Sequence, residues 1–476
     1  MEQLPESLHF VGVGGIGMSA LAQMASVLGC KTSGSDRALN SPENRRIIDS
    51  LRAKGVRLYP QDGSRYADLP APAALVYSTA IEEDNPDFLC APEGTARLHR
   101  SEAMRLLVEK LSASVFAVTG SCGKTTVSAW LAETLDRLGA APALISGGLA
   151  KHFIRDEFAG NYAPGNGKLC VLEADESDKS LLNYTADHAM ILNIGTDHYS
   201  KEELAEVFRK FLRQTRISAV IEDRVLDAVG TDCVKHLKVA LFSTAPDAPA
   251  ELHGYKVFRV TDYRSGDGKV TAKIDGRDVH LPVPGLHNAA NAAAVLAGLS
   301  LLGFDPEAVL PAIERFSGVW RRFDFAGRTR GGAAVYDDYA HNVEKICSCI
   351  EAAHEVCTGR TVFLFQPHGY GPFGFMRPEL LPALEKVLKK DDVFAFLPVY
   401  YAGGTTSFRP KAEEVAAEYD AHHPGGPLFC DTRGGGGLSA CAWRIGYGGC
   451  HGRARQFAFG LGERTCRNHL NKRSFP

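Results

Sequence analysis

A glycine-rich segment, Gly120-Ser-Cys-Gly-Lys-Thr-Thr126, has residue types suited to binding a nucleoside triphosphate. Glycines let backbone N–H groups turn toward phosphate oxygens, Lys124 supplies a mobile positive charge, and a threonine hydroxyl can bind Mg²⁺. The spacing is shorter than the general P-loop pattern, and an incidental loop is the alternative interpretation. We expect this segment to bind ATP through Gly120, Ser121, Cys122, Gly123, Lys124, Thr125 and Thr126.

A second glycine-rich segment lies near the N-terminus, where Gly12, Gly14 and Gly17 form a G-x-G-x-x-G pattern. An acid, Asp36, follows about 20 residues later, which is typical of a dinucleotide-binding unit. A plain tight turn between a strand and a helix is the alternative. Because such a loop suits any diphosphate, we expect substrate contacts from Gly14, Gly15, Ile16, Gly17 and Asp36.

Acidic side chains follow two further apolar runs. The segment 173–178 contains four carboxylates, and residues 190–198 end in Asp197 and His198. Carboxylates and an imidazole at the carboxyl ends of adjacent parallel strands lie where open α/β sheets bind ligands, and hard oxygen ligands beside phosphates suit Mg²⁺. A solvated acidic loop is the alternative for 173–178.

The elements that must position these motifs alternate between strands and helices. The runs 115–119, 31–35 and 333–336 predict strands, while 125–138 predicts a helix, so the chain belongs to the α/β class. Its 476 residues are enough for about three domains.

Composition narrows the function classes. The net charge of −3 lacks the basic character of a nucleic-acid-binding protein, and no apolar run reaches the length of a membrane span, about 18 residues. The start of the chain lacks the basic residues of a signal peptide. We therefore expect a cytoplasmic protein that binds neither nucleic acid nor membranes, with its twelve cysteines as reduced thiols.

The motifs, taken in order from about residue 8 to 405, closely resemble those of the Mur ligases of peptidoglycan synthesis. They are found at 12–19, 120–126, 173–178, 193–198, 285–291, 320–323 and 337–341. The resemblance implies a three-domain Mur ligase architecture: a Rossmann-like domain at 1–110, a central P-loop ATPase-like domain at 111–316, and a Rossmann-like C-terminal domain at 317–429. An aberrant tail follows at 430–476.

The resemblance also implies a reaction. Mur ligases phosphorylate a muramate carboxylate with ATP, and an amine then attacks the acyl phosphate. By similarity, the catalytic residues are Lys124, Glu173 and His198, and Mg²⁺ is held by Thr125, Glu173 and His198. Within the family, the motifs are most similar to those of members that join L-alanine to UDP-N-acetylmuramate. A monomer or weak homodimer is expected.

Further contacts are assigned by similarity alone. ATP contacts are expected from His287, Asn288, Asn291, Arg322 and Asp338. For the first three, the polar first turn of a helix is the alternative, and a solvated basic linker is the alternative for Arg322. Substrate contacts are expected from His341 and His368.

Two departures from the family pattern leave undetermined which amino acid or peptide is joined to the sugar nucleotide. Gly369 replaces an arginine in the segment 366–370, and Ala340-His-Asn342 stands where the family has His-His-Pro. Glycine cannot replace the bidentate donor that arginine provides. A ligase that adds a whole tripeptide to UDP-N-acetylmuramate is therefore the alternative, as is an inactive nucleotide-binding relative.

The tail at 430–476 predicts a shifted reading frame. It contains four consecutive glycines, eight Lys or Arg against only Asp431 and Glu463, and no sustained periodicity. Reading each codon one nucleotide later allows Val-Met-Gly-Ala-Arg-Asp from 450–455, a strand-to-glycine-loop pattern resembling that of Mur ligases; a natural glycine-rich disordered tail is the alternative. We expect weak or no activity if the frame is shifted. Resequencing of the gene tests this, and an unbroken frame near the codons for 428–430 would end the hypothesis.

Overall fold

A computed structural model describes residues 3–177, 179–195, 199–266, 269–329, 331–357, 359–400, 408–422, 428–429 and 457–461. These residues form an α/β structure with three sheets, which confirms the predicted class. The chain divides into two compact units: the first comprises Met1–Tyr263, Ala272–Pro282 and Ala289–Trp320, and the second comprises Arg264–Thr271, Val283–Asn288 and Arg321–Pro476. The boundaries near 110, 316 and 429 stay predictions.

The N-terminal sheet is parallel, with its described strands in the order β3-β2-β1-β4-β5. The first glycine-rich loop leaves the carboxyl end of a buried central strand and enters a helix, as predicted. A 3₁₀ turn covers Pro42–Asn44. The elements are β1 (Ser7–Val11), α1 (Ile16–Val27), β2 (Lys31–Asp36), α2 (Arg45–Ala53), β3 (Arg57–Pro60), α3 (Arg65–Asp68), β4 (Ala74–Tyr77), α4 (Pro86–Leu89), β5 (Ala96–His99) and α5 (Arg100–Leu111).

The second sheet lies in the middle of the chain, with its described strands in the order β16-β15-β14-β12-β11-β10-β6-β9-β7-β8, and β13 paired with β14. Its 3₁₀ turns are Lys151–Phe153, Ser180–Asn183 and Thr231–Cys233. The elements are β6 (Ser114–Thr119), α6 (Lys124–Arg137), β7 (Ala143–Ile145), β8 (Tyr162–Ala163), β9 (Leu169–Glu173), β10 (His188–Ile191), α7 (Lys201–Gln214), β11 (Ser218–Glu222), α8 (Asp223–Val229), β12 (Lys238–Ser243), β13 (Glu251–Leu252), β14 (Tyr255–Gly266), β15 (Lys269–Ile274), β16 (Arg277–Leu281), α9 (Leu286–Leu301) and α10 (Pro306–Ile313).

Strand β6 positions the phosphate loop. It pairs in parallel with β9 on one side and β10 on the other, with Val118 opposite Glu173 and Thr119 opposite Ile191. The loop after β6 and the segments after β9 and β10 therefore leave the sheet at the same edge, where open α/β sheets bind ligands.

Helix α6 is held firmly behind this edge. Trp130 is fully buried, stacks on Phe316 with ring centroids 4.5 Å apart, and donates a 3.0 Å hydrogen bond to the carbonyl of Ile313. Glu133, 1% exposed, accepts hydrogen bonds from Arg137 and from both the backbone and side chain of Ser317. These contacts fix the helix whose first residue is the phosphate-loop lysine.

The C-terminal sheet has its described strands in the order β17-β18-β22-β19-β20-β21, of which only β17 is antiparallel to its neighbour among the described pairings. Within the described part of the chain, no helix has the length and apolar character needed to cross a membrane. The elements are β17 (Asp324–Arg328), β18 (Ala334–Asp338), α11 (Val343–Val356), β19 (Thr361–Phe365), α12 (Tyr370–Val387), β20 (Val393–Phe396), α13 (Ala412–His422), β21 (Leu428–Phe429) and β22 (Phe457–Leu461).

Strand β22 corrects one expectation about the tail. The tail has no sustained periodicity, and a shifted frame would remove the last strand of this domain, but Phe457–Leu461 forms a strand between β18 and β19, parallel to both. The residue types explain this, since aromatic and apolar residues favour a strand that is paired on both sides. Most of the tail lies outside the described residues, and the shifted reading frame stays a prediction.

Candidate active site

The phosphate loop is held in shape by its own conformation and by Asn193. Gly120 and Gly123 have φ values of 133° and 88°, which favour glycine. Asn193 accepts a 2.8 Å hydrogen bond from the backbone N–H of Cys122 and donates a 2.9 Å bond to its carbonyl. Ser121 Oγ accepts a bond from the N–H of Gly195 at 2.8 Å. The loop is therefore preorganised, and sequence reasoning had not assigned this role to Asn193.

Lys124 lies at the start of α6 with its ammonium group largely buried. Its Nζ donates to the carbonyl of Gly120 at 2.9 Å and to Glu176 Oε2 at 2.7 Å, and the side chains of Lys124 and Glu176 are 15% and 4% exposed. Burial alone would lower the pKa of Lys124, but the nearby carboxylates, Glu176 followed by Glu173 and Asp175, together outweigh it and raise that pKa. The lysine is therefore charged and stands at the loop that is expected to bind phosphate.

Thr125 and Glu173 form a pair of oxygen donors beside Lys124. The hydroxyl of Thr125 donates to Glu173 Oε1 at 3.0 Å, and Glu173 Oε2 accepts a 2.7 Å bond from the N–H of Gly147. A carboxylate and a hydroxyl are hard donors that fit Mg²⁺. The third expected ligand, His198, lies outside the described residues, among which no group of three or more His, Cys, Asp or Glu could hold a metal ion.

A close approach by Gly147 and Gly148 shapes this pair and was missed in the sequence. A Cβ atom on Gly147 would lie 2.8 Å from Glu173 Oε1, and one on Gly148 would lie 2.6 Å from Thr125 Cγ2 and 3.0 Å from Val319 Cγ1. Gly147 lies 26 residues before Glu173 in the sequence. The sequence signal that could have revealed them is a Gly-Gly pair directly after a strand.

We predict that Gly148→Ala lowers ligase activity by about tenfold or more. The added methyl group must displace the stiff side chain of Thr125, and displacements of about 1 Å near reacting groups are costly. Steady-state rates at saturating ATP test this. Gly139→Ala is the control for an added methyl group, because a Cβ atom there meets no atom within 4 Å. Because Gly139 has a positive φ of 80°, alanine strains the backbone there, and thermal unfolding checks that the Gly139→Ala protein is folded.

The first glycine-rich loop is closed by Asp36. One carboxylate oxygen accepts a 2.7 Å bond from the N–H of Gly14 and the other accepts a 2.7 Å bond from that of Ala38. Gly15 is the N-cap of α1 without a side-chain cap, and Ile16 and Gly17 form the first turn, which contains no acidic residue. An uncapped helix N-terminus after a glycine loop suits an anion such as a diphosphate. Asp36 orders the loop.

Asn161 connects this loop to the central sheet within the first compact unit. Its side-chain amide donates to the carbonyl of Ile16 at 2.7 Å and to Ser19 Oγ at 2.8 Å, and its oxygen accepts from Gln23 at 3.1 Å. All three polar side chains are fully buried. Sequence reasoning missed Asn161, because nothing local reveals a contact spanning 145 residues.

The expected ATP contacts at the start of α9 have different surroundings. Asn291 lies against the phosphate loop, since a Cβ atom on Gly123 would be 3.0 Å from its Oδ1. Asn288 donates to the carbonyl of Pro284 at 2.5 Å, as expected of a polar residue in a first turn. His287 is exposed and its ring lies over Gly285.

The second compact unit holds the remaining expected contacts. Asp338 accepts hydrogen bonds from the N–H groups of Phe323 at 2.7 Å and Ala340 at 2.8 Å, and Arg322 lies over the ring of Tyr339 at 5.4 Å. Asp338 therefore orders the segment carrying Arg322.

The two histidines of this unit are placed differently. His341 is exposed, and its Nδ1 is 2.9 Å from the carbonyl of Tyr339. His368 packs against Tyr400 with ring centroids 5.3 Å apart. Both histidines lie in segments that follow strands of the C-terminal sheet, β18 and β19, of which the sequence predicted only the first.

Comparisons with known proteins show that the chain is similar to Mur ligases. Residues 7–110 match the profile described as "Mur ligase family, catalytic domain", and residues 118–299 match "Mur ligase middle domain". The chain is 33% identical over 411 residues to UDP-N-acetylmuramate--L-alanine ligase of Sinorhizobium medicae, covering 83% of this chain and 82% of that protein. It is 33% identical over 440 residues to the protein of the same name from a Chelativorans species, covering 88% and 89%.

Solved structures give a similar result. A crystal structure of UDP-N-acetylmuramate-alanine ligase from Thermotoga maritima has a TM-score of 0.74 at 25% identity and covers 96% of both chains. A murein peptide ligase from Psychrobacter arcticus has a TM-score of 0.66 at 19% identity, again over 96% of both, and shows the shared fold.

Proposed function

Because this chain belongs to the Mur ligase family, we propose that it is an ATP-dependent ligase that joins L-alanine to UDP-N-acetylmuramate in peptidoglycan synthesis. The observation that carries the proposal is the phosphate loop, where charged Lys124 stands beside the Thr125–Glu173 pair. The curated relatives named for this activity support the choice of L-alanine. ATP and a UDP-sugar are cytoplasmic metabolites, so we place the protein in the cytoplasm.

The reaction has two steps. A muramate carboxylate oxygen attacks the γ-phosphorus of ATP, the bond to the β–γ bridging oxygen breaks, and ADP leaves. The amine of L-alanine then attacks the acyl carbon, loses a proton, and expels inorganic phosphate to form the amide. Because both reactants of the first step are anionic, catalysis rests on positioning and charge neutralisation.

The residues of this chain take separate roles in that reaction. Lys124 neutralises the β- and γ-phosphates, and the N–H groups of the loop around Gly123 bind their oxygens. Thr125, Glu173 and His198 would hold Mg²⁺, which adds positive charge at the phosphates when bound. The further ATP contacts are His287, Asn288, Asn291, Arg322 and Asp338, and the substrates are contacted by His341 and His368.

A tripeptide ligase is the second candidate. Gly369 in place of an arginine favours it, because the carboxylate of a single amino acid loses a bidentate partner. The likeness to the murein peptide ligase adds only the fold.

Phosphate release separates these candidates. The full chain is incubated with ATP, Mg²⁺ and UDP-N-acetylmuramate, together with L-Ala, L-Ser, Gly or the tripeptide. Release that depends on L-Ala supports the proposal, and release that depends only on the tripeptide supports the second candidate. Binding of both nucleotides without any release would identify an inactive relative.

A further inference from the structure

The carbonyl of Ser35 holds the start of the first glycine-rich loop. Strand β1 ends at Val11, and the N–H groups of the next two residues, Gly12 and Val13, both donate to this one carbonyl, at 2.8 and 2.9 Å. Gly34 makes room for the turn, because a Cβ atom there would lie 2.6 Å from Val13 Cβ. The direction in which the loop leaves the sheet is therefore set by the backbone of β2 at Ser35.

Asp87 fixes the side chain of Ser35. The Ser35 hydroxyl donates to Asp87 Oδ2, and both residues are fully buried. The other carboxylate oxygen accepts a 3.2 Å hydrogen bond from the N–H of Gly63. The backbone of Asp87 is held as well, since its N–H donates to the N-cap Asn85 at 3.0 Å and its carbonyl accepts from the Tyr66 hydroxyl at 2.9 Å. These contacts keep the carboxylate in one position beside β2.

A buried carboxylate at this position is costly for the fold. A charge buried away from water destabilises a protein unless it is well paired, and an apolar side chain of similar size is often more stable. His9 Nε2 lies 3.9 Å from Asp87 Oδ2, beyond hydrogen-bond distance, and burial lowers the pKa of His9, so its ring is neutral near pH 7. Arg65 is buried and interacts electrostatically with Asp87, yet its Nε and Nη1 atoms form no hydrogen bond within the part of the chain that the structure describes. The pairing of Asp87 is thus incomplete, and its specific hydrogen bond to Ser35 points to a role beyond stability.

We propose that Asp87 is a positioning residue for sugar-nucleotide binding, which acts through Ser35 to hold the start of the first glycine-rich loop in the shape that receives the substrate. The next residue, Asp36, binds the N–H of Gly14, so the Ser35–Asp36 pair holds the N–H groups of three consecutive residues, 12–14, and Asp87 anchors the pair. The inference rests on the proposed function insofar as the sugar nucleotide occupies this loop.

Calorimetric titration of the full-length chain with UDP-N-acetylmuramate tests the proposal. Ser35→Ala removes the hydroxyl but keeps the backbone carbonyl, and it should weaken binding by about tenfold or more, because the loop loses its fixed position. Binding of a non-hydrolysable ATP analogue should stay unchanged in this variant, since the phosphate loop follows a strand of another sheet. Unchanged sugar-nucleotide affinity, an equal loss of affinity for both ligands, or no binding of UDP-N-acetylmuramate by the wild type would overturn the proposal.

Ser33→Ala is the matched control. Ser33 lies two residues earlier on the same face of β2 and is also buried, but its hydroxyl is 2.9 Å from His9 Nδ1 instead of bonding to Asp87. Its replacement should cost similar stability in thermal unfolding, because one buried hydroxyl is lost in each case, and leave sugar-nucleotide affinity within about twofold of the wild type. A loss of affinity as large as that of Ser35→Ala would indicate a general packing effect and refute the positioning role.

Asp87→Asn is a second variant that keeps the size of the side chain. It should weaken sugar-nucleotide binding by about fivefold or more, since the hydrogen bond to a charged acceptor is the stronger kind. Because Ser35 and Asp87 act through one hydrogen bond, the variant that combines both substitutions should bind no more weakly than the more affected single variant, whereas independent effects would add. Normal binding by Asp87→Asn, or full additivity, contradicts the proposal.

The binding measurements need no catalysis, which separates this inference from the proposed function. A wild type that binds UDP-N-acetylmuramate but releases no phosphate with any amine would refute the proposed function alone. Ligation of L-alanine together with unchanged sugar-nucleotide affinity in Ser35→Ala would refute this inference alone.

Discussion

Replacing Lys124 with alanine should abolish ATP-dependent ligation, with a loss of more than about tenfold in rate. A single charged hydrogen bond contributes about 1.5–3 kcal/mol, and positioning of the γ-phosphate fails as well. The ammonium group of Lys124 is held at the phosphate loop by hydrogen bonds to the carbonyl of Gly120 and to Glu176, so its removal takes away the charge at that position. Phosphate release with saturating ATP measures it.

The same substitution leaves Glu176 buried without its partner, which destabilises the protein. Lys124→Ala combined with Glu176→Gln removes this unpaired charge, and it should recover stability in thermal unfolding while remaining inactive. Lys235→Ala is the control for a lost lysine, because Lys235 is 70% exposed and its 2.6 Å ion pair with Asp232 lies on the surface. Turnover by the double variant at the wild-type rate would refute the assignment of Lys124.

Local patterns predicted the elements that carry the phosphate loop. An apolar β-branched run predicted a strand at 115–119, and the structure has Ser114–Thr119; the helical pattern at 125–138 corresponds to Lys124–Arg137. These predictions hold because local sequence determines both features. A continuous apolar run indicates a buried strand, and glycines allow the tight turn of the loop. The same holds for the first loop between β1 and α1.

Contacts between distant segments had no comparable signal. The sequence indicates Glu176 only as one carboxylate of the acidic segment 173–178, and its bond to Lys124 depends on β9 lying next to β6. The hydrogen bond from Gly147 to Glu173 depends on β7 lying next to β9. Strand order in a sheet is set by packing of the whole unit, so residue spacing alone does not reveal which loops meet.

Strand β22 shows that composition can also hide a local element. The charge and glycine content of the tail argued against regular structure, yet a short apolar segment at 457–461 occupies the position between β18 and β19. An unpaired central position in a parallel sheet leaves backbone groups of both neighbours unsatisfied, which favours any segment with strand propensity. Average composition over 430–476 therefore hid a local pattern.

Glu173→Gln should raise the Mg²⁺ concentration needed for half-maximal activity by about tenfold or more. Glutamine keeps the size of the side chain and one oxygen, but it loses the negative charge that a hard cation requires of its ligands. Thr125 and Gly147, which donate to the two oxygens of Glu173, remain in place. The measurement is the rate of phosphate release as a function of Mg²⁺ at fixed ATP.

The control for this substitution is Glu222→Gln. Glu222 ends β11 as Glu173 ends β9 in the same sheet, but it pairs with Arg224 instead of lying beside the phosphate loop. Its replacement should leave the Mg²⁺ requirement unchanged, and both variants should bind UDP like the wild type because the first glycine-rich loop is formed by other strands. An unchanged Mg²⁺ requirement in Glu173→Gln would remove Glu173 from the metal site, and a loss of UDP binding would place it at the sugar nucleotide instead.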